Sequence, residues 1–290
     1  MMRAMKKSPQ NLVLIVGLFL SLPVSAHAGT FFTGVKYWQA TWDSAILDWF
    51  EKDIAETYRE NRLVLVAHKD PGDGYLAGPL FGYQTDDRKW SFSFSPMIFS
   101  NFTQEWQGSP GFVELRNTIN LERKDFDLAA SYTFNKYLKG YFGYKYQDMN
   151  MDFNLAFSVP DPNDPSVILF TQNFQYQVES RVHIPTIGLA GVYQLSEHFV
   201  TGLQAGVLYA IPTLTLKESS LGIDQDIRPW PGLGFNSEAT LTYQPIRNLL
   251  LQGGYRYQVF EMEARAPGRT EITRSYDVTH GFTLSAIYVF

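Results

Sequence analysis

The 290-residue chain contains no cysteine. That excludes a disulfide framework and an N-terminal lipid anchor on cysteine. Histidine is also scarce: beyond residue 28 only His68, His183, His198 and His280 remain. Basic residues are few as well, 24 against 29 acidic. This balance argues against a nucleic-acid partner, because a nucleic-acid surface needs a basic patch. No apolar run beyond residue 28 approaches the roughly 20 residues a membrane-spanning helix requires.

Residues 1–28 read as a cleavable leader: Arg3, Lys6 and Lys7 form a basic region, Leu12 to Leu22 an apolar region, and Ala26-His27-Ala28 a small-x-small cleavage site. Its loss takes three of the 24 basic residues, leaving 21 against 29 acidic and a formal charge of −8 over 262 residues. The remainder, 29–290, reads as one domain. Aromatic residues are abundant at 16%, with 17 Tyr and 22 Phe. They cluster near the ends of short alternating segments, where a membrane barrel carries its interfacial girdles.

Four short polar turns punctuate the chain: Thr85-Asp86-Asp87-Arg88, Asn135-Lys136-Tyr137-Leu138, Ser196-Glu197-His198 and Pro245-Ile246-Arg247-Asn248. Longer polar stretches lie between them at 44–74, about 105–112, 158–167, 217–230 and 265–271. Four turns and five loops join ten strands. Eight or twelve are the alternatives; twelve would follow if Glu122–Asp125 were a hairpin and Leu63–His68 a further strand. The expected architecture is an all-β, antiparallel transmembrane barrel with short periplasmic turns and longer outer loops, its even strand count placing both mature ends on the periplasmic side.

Alternation assigns the faces of each strand. Trp90, Phe92 and Phe94 oppose Ser91, Ser93 and Ser95, with Pro96 predicting a local distortion because it lacks a ladder donor. Leu128, Tyr132, Phe142, Leu203, Val207, Leu241 and Leu251 fall on outward faces. The strand over 168–194 changes its alternation near Arg181 to Pro185, which predicts a bulge or an extension above the bilayer. In the first loop Ile46, Leu47, Phe50, Ile54 and Tyr58 recur at helical spacing after a candidate cap at Asp43 or Ser44, predicting a short helix that lies over the barrel mouth or at the membrane interface, or else packs its apolar face on a neighbouring strand. Trp38, Trp42, Trp49, Trp106 and Trp230 are expected as exposed interfacial anchors.

In the last eleven residues, His280 to Phe290, Phe282, Leu284, Ala286, Tyr288 and Phe290 form an all-apolar face, and Gly281, Thr283, Ser285, Ile287 and Val289 a smaller, partly polar one. This segment resembles the C-terminal assembly signal of bacterial outer-membrane β-barrel proteins, which ends in Phe after alternating aromatic and apolar residues. The resemblance rests on Phe282, Leu284, Tyr288 and Phe290. It implies residence in the cell outer membrane, contact with outer-membrane lipid and delivery by the barrel assembly machinery.

Polar residues on inward faces carry what chemistry there is: Lys36, Asp125, Asp127, Lys145, Glu238 and Arg256. In a barrel of eight to ten strands the lumen is nearly filled by its own side chains, so these charges must pair with one another. A self-plugged barrel with a structural or binding role is the expected function. A narrow, porin-like passive channel for small solutes along the same groups is the alternative, and a hydrolase acting on lipid or peptide at the outer rim the second. Neither an omptin motif nor a GxSxG elbow occurs, so no catalytic residue is assigned. No cofactor or metal is expected; the loop acids Asp70, Asp73, Asp161 and Asp164 lack an EF-hand spacing and read as turn formers. Whether a small solute or a surface ligand is bound stays open.

Overall fold

The computed structural model of the protein describes residues 29–48, 52, 65–69, 71–110, 114–161, 164, 167–218, 223–264 and 273–290. The leader over 1–28, most of the first loop with Trp49, and Asp70 lie outside the described residues. Thirteen strands follow in order: β1 (Thr30–Asp43), β2 (Leu65–Lys69), β3 (Gly72–Gln84), β4 (Trp90–Met97), β5 (Phe99–Pro110), β6 (Glu114–Thr133), β7 (Leu138–Pro160), β8 (Ile168–Gln194), β9 (Phe199–Glu218), β10 (Ile223–Ile227), β11 (Gly232–Ile246), β12 (Leu249–Ala264) and β13 (Thr273–Val289).

They form one antiparallel sheet that closes on itself. β1 pairs with β13 from Phe32↔Val289 to Asp43↔Val278, and on its other edge with β3 from Thr30↔Gln84 to Trp42↔Gly72. β2 continues β3 upward, since both pair with β5, and β5 continues β4, since both pair with β6. β10 stands above β11 on the same neighbour, β9. The ring therefore has ten strand positions, and the segment containing Leu65–His68 lengthens one position instead of adding another.

Each of the four short turns joins neighbouring strands at one end of the barrel, where β1 begins and β13 finishes; the Phe290 amide donates to the Phe31 carbonyl there. Local chemistry shapes these turns. Asn135 Oδ1 accepts from the amides of Tyr137 and Leu138 at 2.9 and 3.0 Å. Arg88 takes a left-handed φ of 56°. Beside it, the Thr85 hydroxyl and the Lys89 amide hold the Asp87 carboxyl below its usual range.

The predicted distortion after Pro96 is a one-residue bulge. Phe81↔Phe94 and Ala77↔Phe99 differ by one in register, as do Met97↔Asp125 and Phe102↔Leu121, so the extra residue falls around Ile98. A bulge exchanges the two faces. This overturns the expected exposure of Trp106: beyond the bulge Phe102, Gln104 and Trp106 point inward and are buried. Trp38 and Trp42 also point inward, fully buried, because they share parity with the inward Lys36. Trp230 is exposed as expected, at 43%. Near Arg181–Pro185 the β8–β9 register does not shift, so of the two expectations there only the extension holds.

The outer surface carries an apolar belt between two aromatic girdles. Near the turns stand Phe31 with Tyr83, Trp90 with Tyr132 and Phe134, Tyr137 with Tyr193, Phe199 with Tyr243, and Tyr288 with Phe290. The far girdle comprises Tyr37 with Tyr75, Phe126 with Tyr146 and His183, and Tyr255 and Tyr257 with His280. From Leu249 to Tyr257 and from Phe290 to His280, eight to ten residues at about 3.3 Å each and about 40° of tilt rise roughly 20–25 Å, close to the hydrocarbon thickness such barrels span. Above this level the strands continue; β7 and β8 reach furthest.

Inside that upper extension the barrel is mostly apolar, with Gln104, Ser180 and Ser275 buried among the apolar side chains. Trp42, Leu76, Phe102, Ile119, Met149, Met151, Ile184, Leu208 and Phe260 pack into one buried cluster. The chain leaves β1 into it: residues 45–48 make a helical turn whose Leu47 amide donates to the Ser44 hydroxyl at 3.4 Å, and Ile46 and Leu47 join the cluster. This turn begins inside the mouth, packed on the strands; the rest of the expected helix, with Phe50, Ile54 and Tyr58, lies outside the described residues.

Outward leucines at mid-belt should reject charge. Arginine at Leu241 or Leu251, exposed by 47% and 41%, is expected to destabilise the lipid-folded barrel by about 2–4 kcal/mol, measured by reversible denaturant unfolding from vesicles; an unchanged midpoint at both positions would contradict the facing described.

Candidate functional site

Between the belt's lower cavity and the apolar cluster lies a layer of charge. Inward parity places the side chains, and register brings them together. Asp127 stands opposite Lys145, and Asp125 opposite Gln147, across β6 and β7. Glu238 stands opposite Gln204 on β9 and opposite Arg256 on β12.

Arg123 and Asp125, both fully buried, form a two-pronged pair, Nε–Oδ1 at 2.8 Å and Nη2–Oδ2 at 2.9 Å. A further guanidinium nitrogen donates to Thr279 Oγ1 at 3.1 Å. Lys145 Nζ lies 3.5 Å from both Asp125 and Asp127 and donates to Gln258 at 2.9 Å. Arg256 donates to Asp127 at 3.1 Å. Glu238 accepts from Gln204 and Thr283, each at 3.0 Å. Lys36 adds its field to Asp127 and Glu238.

Trp38 sits at the centre. Arg256, Lys145 and Arg123 lie 5.0, 5.5 and 5.8 Å from its ring, within cation–π range. On the far side of Arg123, the buried Asp277 accepts from the Trp42 indole at 3.1 Å. Four cationic side chains, Lys36, Arg123, Lys145 and Arg256, thus share the layer with the carboxyl groups of Asp125, Asp127, Glu238 and Asp277. Such pairing is what allows charge to remain inside a barrel wall.

All six inward charges anticipated from sequence meet in this layer. Of their partners, Arg123 and Asp277 carry no signal in the sequence reading, and Trp38 is expected there as an exposed anchor. Alternation alone could have found two of them, since Arg123 precedes the inward Asp125 by two residues and Trp38 follows the inward Lys36 by two. Arg123 was masked by its neighbours Glu122 and Lys124, which point outward and are exposed, so the run reads as a polar turn.

Toward the short-turn end the layer roofs a cavity of about 400 Å³, with Ser93, Ser131, Lys139, Tyr141, Thr240 and Gln252 among its polar lining. Tyr141 lies across it and donates to Asn236 at 2.9 Å. Two glycines make room for that ring: a Cβ at Gly188 would fall 2.6 Å from it, and one at Gly206 would fall 2.3 Å from its hydroxyl.

The histidines stand elsewhere. His183 Nδ1 meets the Tyr144 hydroxyl at 2.5 Å and His280 Nδ1 meets the Tyr255 hydroxyl at 2.7 Å, both in the upper girdle on the outer wall. His198 contacts the Gln244 carbonyl in a short turn. The side chain of His68 is outside the described set. Phe282, Leu284, Tyr288 and Phe290, which carry the C-terminal resemblance, all face outward, 38–66% exposed.

No protein-family profile matches the chain, and no curated protein is similar to it. Among solved structures, the outer membrane protease OmpT from Escherichia coli aligns at a TM-score of 0.54 and 11% identity, over 93% of this chain and 99% of the protease. The translocator domain of the autotransporter NalP from Neisseria meningitidis aligns at 0.39 and 8% identity over 96% and 94%. OprG from Pseudomonas aeruginosa aligns at 0.35 and 12% over 91% and 96%. The first of these likenesses shows the fold, and the fold alone: this chain has the architecture of a bacterial outer-membrane β-barrel.

Within the charged layer the cost of a substitution should depend on what it leaves unpaired. Arg123→Met, which removes the two-pronged partner of Asp125 and leaves it only the longer contacts with Lys145 and Gln147, is expected to cost about 3–5 kcal/mol, whereas the double change Arg123→Met with Asp125→Leu should cost clearly less than the single one; denaturant unfolding of the three proteins decides it, and additive losses would mean the pair is not acting as a unit.

Proposed function

We propose that the protein is an outer-membrane barrel closed to solutes, whose work is structural or binding and is done at its outer, loop-bearing end. One observation carries this reading. Above the charged layer, the lumen is filled by tightly packed apolar side chains, with Trp42, Phe102, Met149, Met151 and Phe260 all buried and Ile46 and Leu47 of the first loop packed among them. An ion on that path would lose its hydration without compensation, a cost of several kcal/mol or more.

The rest of the reading follows from the wall. The belt and its girdles suit outer-membrane lipid. The outward Phe282, Leu284, Tyr288 and Phe290 suit recognition by the barrel assembly machinery before β13 closes on β1. The leader over 1–28 would deliver the chain to the periplasm, placing the short turns and both mature ends on that side.

One observation favours a second reading, a narrow channel: the polar cavity reaches from the short-turn end up to the charged layer. Conduction would then require the apolar cluster to part. A hydrolase at the outer rim has weaker support, since His183 and His280 are engaged by tyrosines on the outer wall and the other side chains they approach are aromatic.

Refolded residues 29–290, shown to be folded by a heat-modifiable gel shift, should give no steady conductance steps in a planar bilayer. Steady steps whose ion selectivity reverses with Arg256→Glu would replace the closed barrel with the channel.

A further inference from the structure

One guanidinium of the charged layer turns its strongest binding edge to no protein group. Arg256 is 7% exposed and lines the cavity beneath the layer. Among the described residues its guanidinium makes one hydrogen bond, from Nη1 to Asp127 at 3.1 Å. Nε and Nη2 bond to nothing there, and both keep accessible surface. They are open to the space that Arg256 lines.

Nε and Nη2 together form the edge by which a guanidinium grips an oxyanion in two parallel bonds. Arg123, in the same layer, shows the grip completed: its Nε and Nη2 hold the Asp125 carboxylate at 2.8 and 2.9 Å. Glu238 stands opposite Arg256 across β11 and β12 but does not complete the equivalent pair. Its two oxygens accept instead from Gln204 and Thr283, each at 3.0 Å.

The surroundings add positive charge. Lys36 acts on the same two carboxyl groups as Arg256, those of Asp127 and Glu238, so the two cations converge. Among the described residues neither the Lys36 ammonium nor that of Lys139 makes a hydrogen bond or an ion pair. Lys139 lies six residues from Lys145 along β7, toward the short turns. Of the side chains lining the cavity, Lys36, Lys139, Lys145 and Arg256 are basic and only Asp127 and Glu238 are acidic. Low-dielectric walls focus such a field on whatever enters. Hydroxyl and amide groups complete the lining, among them Ser93, Ser131, Tyr141, Asn236, Thr240 and Gln252.

We infer that this cavity is a binding pocket for a small hydroxylated organic anion. Its carboxylate or phosphate is held by Nε and Nη2 of Arg256 with Lys36 beside it, and Lys139 draws it in from the short-turn end. A volume of about 400 Å³ lies at the low end of small-molecule sites and suits a single sugar-sized body. The hydroxyl and amide side chains suit the hydroxyls of that body. A neutral sugar would leave the Arg256 edge unmatched, so the charge selects. The pocket is independent of what the outer loops do, and with the apolar core packed above the layer it has one mouth.

Calorimetric titration of the full mature protein, refolded in a non-ionic detergent, uses three probes with one body: gluconate, glucose 6-phosphate and glucose. Saturable binding of gluconate, glucose 6-phosphate or both is expected, without binding of glucose; which anion binds separates carboxylate from phosphate. Arg256→Lys keeps a positive charge beside Asp127 but has no two-pronged edge, and Lys36→Gln removes the second cation. Each should weaken binding about tenfold or more. Lys36→Gln breaks no ion pair, so it decides the matter if Arg256→Lys fails to fold, which the gel shift reports. Lys136→Gln, in an exposed turn, should bind as the unaltered protein does. No binding of either anion, equal binding of glucose, undiminished affinity in a folded Arg256→Lys or in Lys36→Gln, or an equal loss in Lys136→Gln would each overturn the inference. A barrel that bound the anion and also conducted would overturn the closed-lumen reading and leave the pocket standing.

Discussion

The pairing of β1 with β13 is the constraint on which everything else depends. Within hydrocarbon no water is available to an exposed amide or carbonyl, so a sheet can cross a bilayer only if it has no edge. Closure is achieved along the whole of β1, from Phe32↔Val289 to Asp43↔Val278. Once the ring is closed, each strand has one face toward lipid and one toward the lumen, and the alternation of its side chains is forced. The apolar belt, the girdles and the inward charges are consequences of that single requirement.

The interior is layered. A small polar cavity lies toward the short turns, a set of paired cations and carboxyl groups lies above it around Trp38, and a mostly apolar core fills the extension outside the belt. Each layer solves a different problem. The charges are tolerated because they face one another across registered strands, and the apolar core gives the tall outer walls something to pack against where lipid no longer covers them. Trp38 and Trp42 join the layers, one ringed by Arg123, Lys145 and Arg256, the other donating to Asp277 while its ring packs into the core.

Outside the belt the closure requirement relaxes, because water can satisfy an open edge. There the strands end at different heights, and β7 and β8 outlast the rest. Among the described residues β2 pairs only with β5 and β10 only with β9, so several edges there do without a second strand.

The sequence by itself determined the strand positions, the four short turns and the facing of each belt strand, because a period of two read against lipid leaves few alternatives; Leu128, Leu203, Leu241, Leu251 and Phe282 all point where alternation puts them. It also placed Lys36, Asp125, Asp127, Lys145, Glu238 and Arg256 inside. Only the tertiary structure decided which of them meet, since register depends on where each strand begins against its neighbour, and one bulge at Ile98 reverses the facing of Trp106. It likewise decided that Trp38 and Trp42 serve the lumen, that Arg123 belongs to the charged layer and not to a turn, and that the first loop starts inside the mouth. Alternation reports which side a residue faces; what it meets there depends on the height and pairing of strands far away in the chain.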